Sequence, residues 1–250
     1  MKVREVFAKA ALTRTAISGF DYCLNPYVGC GHGCRYCYAN FMRRFTGHRE
    51  PWGTFVDVKV NAPSVLERQL LRAKPGVVAI STVTDPYQPL ERRYGMTRKC
   101  LEILLRYQFP VNILTRSSLC LRDIDLFKRF EQIEVGLSIT THDERVKKVF
   151  EPYSPPISSR IKALETLRQE NVKTYAFIGP ILPLDPEHLV KMLEGIGEVL
   201  IDRMNYQNRV KGLYHQYGLD TFLTDGYFNS IGIDLKERFE RKGVSVSMIF

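Results

Sequence analysis

Five short apolar and β-branched runs punctuate the chain: Gly76–Val83 (GVVAISTV), Pro110–Thr115 (PVNILT), Ile133–Thr140 (IEVGLSIT), Val172–Ile178 (VKTYAFI) and Glu198–Ile201 (EVLI). They lack the polar alternation of a half-exposed strand and read as strands covered on both faces of a parallel sheet. A sixth run, Asn25–Val28, precedes a group of cysteines. Between the runs, apolar residues return at helical spacing. Pro63–Lys74 places Val65, Leu66, Leu70 and Leu71 on one face, and Met96–Tyr107 does the same with Cys100, Leu101, Leu104 and Leu105. Leu119–Phe130, Ile157–Gln169 and Glu187–Ile196 repeat the pattern, with Pro63, Pro186 and Ser158–Ser159 as helix-start signals. The alternation predicts an α/β fold of parallel βαβ units with right-handed crossovers, closed as an open doubly wound sheet or as a barrel or partial barrel. In either closure, chemistry gathers at the carboxyl ends of the strands. The loops there are Thr84–Pro89 (TDPYQP), Arg116–Ser118 (RSS), Thr140–His142 (TTH) and Gly179–Pro183 (GPILP). The aromatic-rich stretch Asn205–Phe250 ends in the alternating Gly243–Phe250 and reads as a C-terminal extension packed on the barrel.

Composition narrows this picture. The 250 residues are 44% hydrophobic and 25% charged, which excludes a disordered or fibrous chain. A chain of this length buries roughly three quarters of its unfolded surface and folds without disulfides. No apolar run reaches the roughly 18 residues of a membrane span, and MKVREVFAKAALTRTAISGF has no continuous apolar core of a secretory signal. The expected location is therefore cytoplasmic, where close cysteines read as metal or redox sites before disulfides. The net charge of +9 fits an anionic partner such as nucleic acid.

The segment Asn25–Asn40, NPYVGCGHGCRYCYAN, carries the chemistry. Cys30, Cys34 and Cys37 follow a C-x3-C-x2-C spacing, and Gly29, Gly31 and Gly33 let the backbone wrap closely around a bound object. Three thiolates within eight residues suit a soft metal or an iron–sulfur cluster. A closed four-iron site takes four cysteines, so three leave one iron open, as catalytic metal sites do. A structural zinc on the same three cysteines with His32 or Cys23 is the competing reading. Cys100 and Cys120, at helical positions, read as buried structural residues.

C-x3-C-x2-C with an aromatic residue, Tyr36, before the last cysteine resembles the signature of the radical S-adenosylmethionine (radical SAM) superfamily. GCGHGCRYCYA, TVTDPYQPLE and FEPYSPPISSR, in this order, narrow the resemblance to the family related to spore photoproduct lyase, over about Asn25 to Asn205. The resemblance implies a partial (β/α)6 TIM-like barrel with the C-terminal extension beyond it: a core over residues 1–205 with its cluster loop at 29–38, and the extension over 206–250. It implies a [4Fe–4S] cluster on Cys30, Cys34 and Cys37, with S-adenosylmethionine chelating the open iron. An external low-potential donor supplies one electron, and a 5′-deoxyadenosyl radical then takes a hydrogen atom from substrate. It also implies cofactor contacts: Tyr36 near the adenine, Ser138 at the end of the fourth strand, Arg160 toward the methionine carboxylate, and Ile178 to Pro180 along the adenine pocket. Asp85, with Tyr87 and Gln88 in the same strand-end loop, reads as a substrate or cofactor contact; a turn cap at Pro86 is the alternative for Asp85.

The likeness has a gap. Enzymes of this family that repair thymine photodimers return a hydrogen atom from a cysteine after the second strand, and Ser81–Asp85 (STVTD) has none. No catalytic residue is assigned. A nucleic acid or nucleobase is the favoured substrate, since Arg35, Arg43, Arg44, His48 and Arg49, and Arg92, Arg93, Arg98 and Lys99, are expected near the barrel mouth with Phe41, Phe45, Trp52 and Tyr94 among them. The alternatives are a protein, peptide or small-metabolite substrate, and a non-catalytic zinc or iron–sulfur module.

Overall fold

A computed structural model describes residues 1–250. Its strands, in chain order, are β1 (Lys2–Val6), β2 (Leu12–Arg14), β3 (Tyr22–Leu24), β4 (Tyr27–Val28), β5 (Phe55–Lys59), β6 (Val78–Ile80), β7 (Val111–Thr115), β8 (Ile133–Ser138), β9 (Lys173–Ile178), β10 (Glu198–Ile201) and β11 (Ser245–Met248). Eight form one sheet in the order β11-β10-β9-β8-β7-β6-β3-β2. From β3 to β11 every pairing is parallel, and only β2 runs antiparallel, at the β3 edge. Each successive parallel strand adds on the same side, so the sheet curls as a partial barrel and leaves β2 and β11 as unpaired edges.

The five apolar runs lie at β6 to β10 as their patterning predicts. The run Asn25–Val28 does not enter the barrel. Pro26 has no N–H to donate to a ladder, and the chain turns there: Tyr22–Leu24 pairs with β6 in the barrel, while Tyr27–Val28 pairs antiparallel with β5. With β1, these make a separate three-stranded sheet, β1-β5-β4. The C-terminal stretch does more than pack on the barrel. Helix Asp225–Glu240 brings the chain back, and β11 pairs parallel with β10 as a seventh barrel strand.

The helices follow the expected spacing at Ala62–Leu70, Met96–Arg106, Ile157–Gln169 and Pro186–Met192. Leu119–Phe130 differs. It begins as a 3₁₀ turn, Ser118–Asp123, capped by the Ser117 hydroxyl on the Leu119 N–H, and only Ile124–Phe127 is α-helical. Asp123 is fully buried there and accepts from Arg98, Arg122 and Tyr87, which holds the tight turn against the core. Cys100 and Cys120 are buried in the core.

Gly136, within β8, shapes the barrel interior. A Cβ there would lie 2.3 Å from the Tyr175 ring of β9, so the ring can cross the strand only because the side chain is absent. The Tyr175 hydroxyl donates to Asn112 Oδ1 at 2.9 Å, and both residues line the barrel cavity. Gly136→Ala is therefore expected to destabilise the protein by about 1–3 kcal/mol through overpacking. In a chain of this size, that lowers the thermal midpoint by roughly 2–12 °C. Calorimetry of the cluster-free variant checks it; an unchanged midpoint would refute the packing argument.

Candidate active site

A cavity of about 370 Å³ occupies the barrel at the carboxyl ends of its strands. Cys30, Cys34 and Cys37 line it and are free thiols. Their loop is tied down from two directions. On one side, Gln88 accepts from the Gly31 N–H at 3.0 Å and donates to the Gly29 carbonyl at 3.3 Å, and Thr84 donates to the same carbonyl at 2.6 Å. On the other, the Arg35 N–H donates to Phe150 and the Tyr153 N–H donates to the His32 carbonyl. Gly29, at φ +86°, is irreplaceable in this path: a Cβ would sit 2.4 Å from the Phe55 carbonyl.

The loop's deepest anchor is Tyr36. Its hydroxyl donates to Glu151 Oε1, and Arg116 Nη2 reaches the same hydroxyl at 2.9 Å. Glu151 is fully buried and also accepts from Thr140 at 2.9 Å and Ser154 at 3.1 Å, with Arg116 at 3.3 Å and Arg160 at 2.5 Å as ion pairs. Burial alone would push this carboxyl up, but Arg160 and Arg116, with the Tyr36 hydroxyl, hold it well below the usual carboxylate range. Burial, reinforced by Glu151, keeps Tyr36 a protonated phenol despite Arg116.

The residues singled out from sequence separate into three groups. Tyr36, Ser138 and Asp85 line the cavity with the cysteines. Asp85 accepts from Thr115 at 2.6 Å and from the Arg116 N–H at 2.9 Å, and His32 Nε2 lies 3.5 Å away. Burial opposes its charge, yet His32 and these donors bring it down to about 2. Tyr87 and Gln88 do not face the cavity: Tyr87 roots in the core on Asp123, and Gln88 clamps the cysteine loop. Ile178 is buried behind the wall, and the next residues, Gly179 and Pro180, line it instead.

Arg160 also lies outside the cavity lining. Its donors are committed to Glu151, Ser154 Oγ, the Pro155 carbonyl and the Ser138 carbonyl. A guanidinium so fully paired has no free fork for a ligand carboxylate. Two arginines line the cavity: Arg116, at the end of β7 and partly exposed, with its guanidinium over the Tyr36 ring, and Arg203, which pairs with Asp225 at 3.4 Å. The sequence signal of Arg116 was its place in the strand-end triplet RSS. Of the basic segments, Arg98 pairs with Asp123 and Asp125, and Arg92 and Arg93 belong to a short helix outside the cavity. Arg35, Arg43 and Arg44 line a groove on the outer side of Cys37.

The residues fit an iron–sulfur cluster with a small polar ligand beside it. No three His, Cys, Asp or Glu side chains converge as one mononuclear ion requires, whereas a cluster takes one thiolate per iron. The cavity wall also holds buried polar atoms with no hydrogen-bond partner: Ser81 Oγ, Ser138 Oγ and His32 Nδ1. Each such atom costs about 1–3 kcal/mol unless a bound group satisfies it. Burial pushes the Cys37 thiol up, opposed by the Ala39 N–H, Arg116, Arg209 and the Trp52 indole.

Comparison with known proteins gives concordant results. The family model of the radical SAM superfamily matches residues 24–196. A protein of Methanocaldococcus jannaschii is 39% identical over 192 residues, covering 76% of this chain and 72% of its own. The radical SAM Nα-GlyT isomerase of Pseudomonas phage M6 is 28% identical over 204 residues, 78% of this chain but 39% of that protein. Spore photoproduct lyase complexed with dinucleoside spore photoproduct superposes with a TM-score of 0.73 at 13% identity, over 98% of this chain and 82% of that one. A variant of that lyase carrying bound AdoMet as well superposes at 0.72.

Replacing Glu151 with Gln removes the charge that Arg116 and Arg160 share. The expected loss is about 3–5 kcal/mol of stability, as for other broken buried ion pairs. Because the folded-state carboxyl is held low, its contribution is present above the ordinary carboxylate range and fades as pH falls below about 5. Denaturant titrations at pH 7 and pH 4 check both points: the difference between parent and variant should shrink at the lower pH, and a constant difference would refute the electrostatic account.

Proposed function

The chain belongs to the radical SAM superfamily and works with a [4Fe–4S] cluster and S-adenosylmethionine, and from that premise we propose that Cys30, Cys34 and Cys37 hold the cluster and that the substrate is a nucleobase carried by a nucleic acid. When bound, the cluster and S-adenosylmethionine supply one-electron cleavage of the sulfonium, yielding a 5′-deoxyadenosyl radical that abstracts a hydrogen atom. The observation that carries the first part is the joining of three free thiols and a set of unpartnered buried polar atoms in one cavity.

Within that cavity the chain's own groups divide the work of holding the cofactor. Arg116 offers a guanidinium beside the cysteine loop, suited to a carboxylate, whereas Arg203, the other arginine of the lining, pairs with Asp225. Ser138 Oγ and Ser81 Oγ offer hydroxyls that have no protein partner. The Tyr36 ring gives an aromatic face, fixed by Glu151 and Arg116. Arg160 is a positioning residue: its Nη1 holds the Ser138 carbonyl at 3.0 Å and so fixes the backbone that carries the serine hydroxyl. Apolar residues make up most of the lining, which excludes water from a radical.

The nucleobase reading rests on the mouth. Tyr38 and Tyr206, 43% and 48% exposed, stack at 6.4 Å between centroids, and Phe41 stacks on Tyr38 at 6.5 Å. Exposed, parallel aromatic faces are platforms for bases. The cavity lies at the small end of the range for ligand sites. A macromolecular substrate can therefore offer it only a protruding unit, as a flipped base is. The support from this chain is the mouth aromatics, beside the likeness in fold to a lyase complexed with dinucleoside spore photoproduct.

Several outcomes are expected of anaerobically reconstituted protein. Cluster binding should quench the fluorescence of Trp52, the only tryptophan. The Cys30→Ala, Cys34→Ala, Cys37→Ala triple variant should bind no iron and show no quenching, and retained iron would refute the ligand set. Arg116→Ala should weaken S-adenosylmethionine binding by about 1.5–3 kcal/mol, measured by calorimetry, and an unchanged affinity would refute its assignment. With dithionite as reductant, single-stranded DNA or RNA should raise 5′-deoxyadenosine formation above the unstimulated level. Tyr206→Ala should weaken that nucleic acid by about 1–3 kcal/mol. Stimulation by peptides but not by nucleic acid would move the substrate to the protein class.

A further inference from the structure

The three cysteines are not equivalent. Cys30 and Cys34 are buried, whereas Cys37 is partly exposed and lines two spaces: the barrel cavity on its inner side and a surface groove on its outer side. Of the groove's lining residues, only Cys37 also lines the cavity. Arg35, Arg43, Arg44 and Arg209 surround it with Asn40 and Phe41, and no aspartate or glutamate lines it. His48, which also lines the groove, occupies Glu50 and Asp57. Arg43 and Arg209 donate to backbone carbonyls of Arg49 and Tyr38, which fixes their positions while leaving their charges uncompensated. Arg35 and Arg44 are exposed.

The geometry points to this groove as the docking site for a small acidic one-electron carrier protein that reduces the cluster from outside. The inference rests on Cys37 being a cluster ligand, as proposed above. Electron transfer needs no entry into the cavity. It needs close approach to the cluster, because its rate falls steeply with distance, and Cys37 is the ligand that reaches the surface. The step balances simply: one electron leaves the reduced carrier and enters the cluster, and no bond forms or breaks. Such encounters use small interfaces steered by opposite charge, which an all-basic groove provides. A nucleic acid would also be drawn to these arginines. Lying in the groove, however, it would be separated from the reacting cavity by Cys37 and the Tyr38 rim.

The test uses a plant-type [2Fe–2S] ferredoxin, whose potential is about −400 mV, as the acidic carrier. Reduced ferredoxin is mixed anaerobically with cluster-loaded protein, and the rate of cluster reduction is followed by absorbance. The parent rate should fall steeply with salt. The Arg35→Glu, Arg44→Glu variant should be slowed by about tenfold or more, while Arg68→Glu, Arg72→Glu, with the same charge change at two exposed positions elsewhere, stays within about twofold of the parent. Iron content and the extent of dithionite reduction should match in all three. Equal ferredoxin rates in parent and groove variant, or equal slowing in both variants, would overturn the assignment. A groove variant that loses single-stranded DNA or RNA binding while keeping its ferredoxin rate would give the groove to nucleic acid and overturn it as well. A parent that binds no iron overturns the cysteine assignment together with this one, and the iron assay tells that failure apart.

Discussion

The buried carboxylate of Glu151 holds the site together. It draws four distant segments to one point: Tyr36 from the cysteine loop, Arg116 from the end of β7, Thr140 from beyond β8, and Arg160 from the helix Ile157–Gln169. Two guanidinium groups buried this closely would repel each other without an anion between them. Asp85, on the Arg116 N–H, is a second carboxylate at the cavity wall. Of the two arginines on Glu151, Arg116 faces the cavity and Arg160 is consumed within the wall. Glu151 therefore fastens the cysteine loop and decides which of its two arginines is available to an anionic ligand.

Much of this was legible in the sequence, and the legible parts share a cause. The cysteine loop is a local pattern, and local spacing fixes which thiols can reach one object. Strands β6 to β10 carry continuous apolar runs because both faces are covered. The failures come from contacts that spacing cannot report. Arg116 and Arg160 both lie near strand ends or helix starts, and the choice between them depends on a carboxylate 35 residues from the first and only nine from the second. Tyr87 and Gln88 share a loop with Asp85, but successive side chains in a turn point different ways. Only Asp85 points into the cavity; Gln88 turns toward the Gly31 N–H and Tyr87 toward Asp123. Pro26 is visible in the sequence, and its missing N–H is the signal that divides Tyr22–Leu24 from Tyr27–Val28.

The small sheet β1-β5-β4 had no expectation attached to it, yet it supports the loop from behind. The Phe55 carbonyl on β5 lies against Gly29 so closely that no side chain fits there, and Gly33 packs against Gly53 and the Tyr153 ring. His48, stacked on Phe55 at 4.0 Å, bridges Glu50 and Asp57 beneath the arginines. Glycine in the loop thus serves two separate demands. It permits positive φ at Gly29 and Gly33, and it admits backbone from a second sheet to within contact.

Fastened on one side by Gln88 and on the other by Glu151, the cysteine loop acts as a partition. Its inner face belongs to an apolar cavity with a few unpartnered polar atoms, and its outer face to an all-basic groove. Radical chemistry and electron delivery make opposite demands on a protein. The first requires that water and stray hydrogen donors be kept away, and the second requires a partner's surface to come close. A single opening would have to serve both, and a docked carrier would then obstruct the substrate. With Cys37 shared between the two faces and holding the cluster as proposed, an electron can cross where a molecule cannot. The stacked rings of Tyr38, Phe41 and Tyr206 run along this boundary, Tyr38 and Tyr206 lining the cavity and Phe41 the groove. The position of one partly exposed cysteine, rather than the number of positive charges, is what makes the two faces functionally distinct.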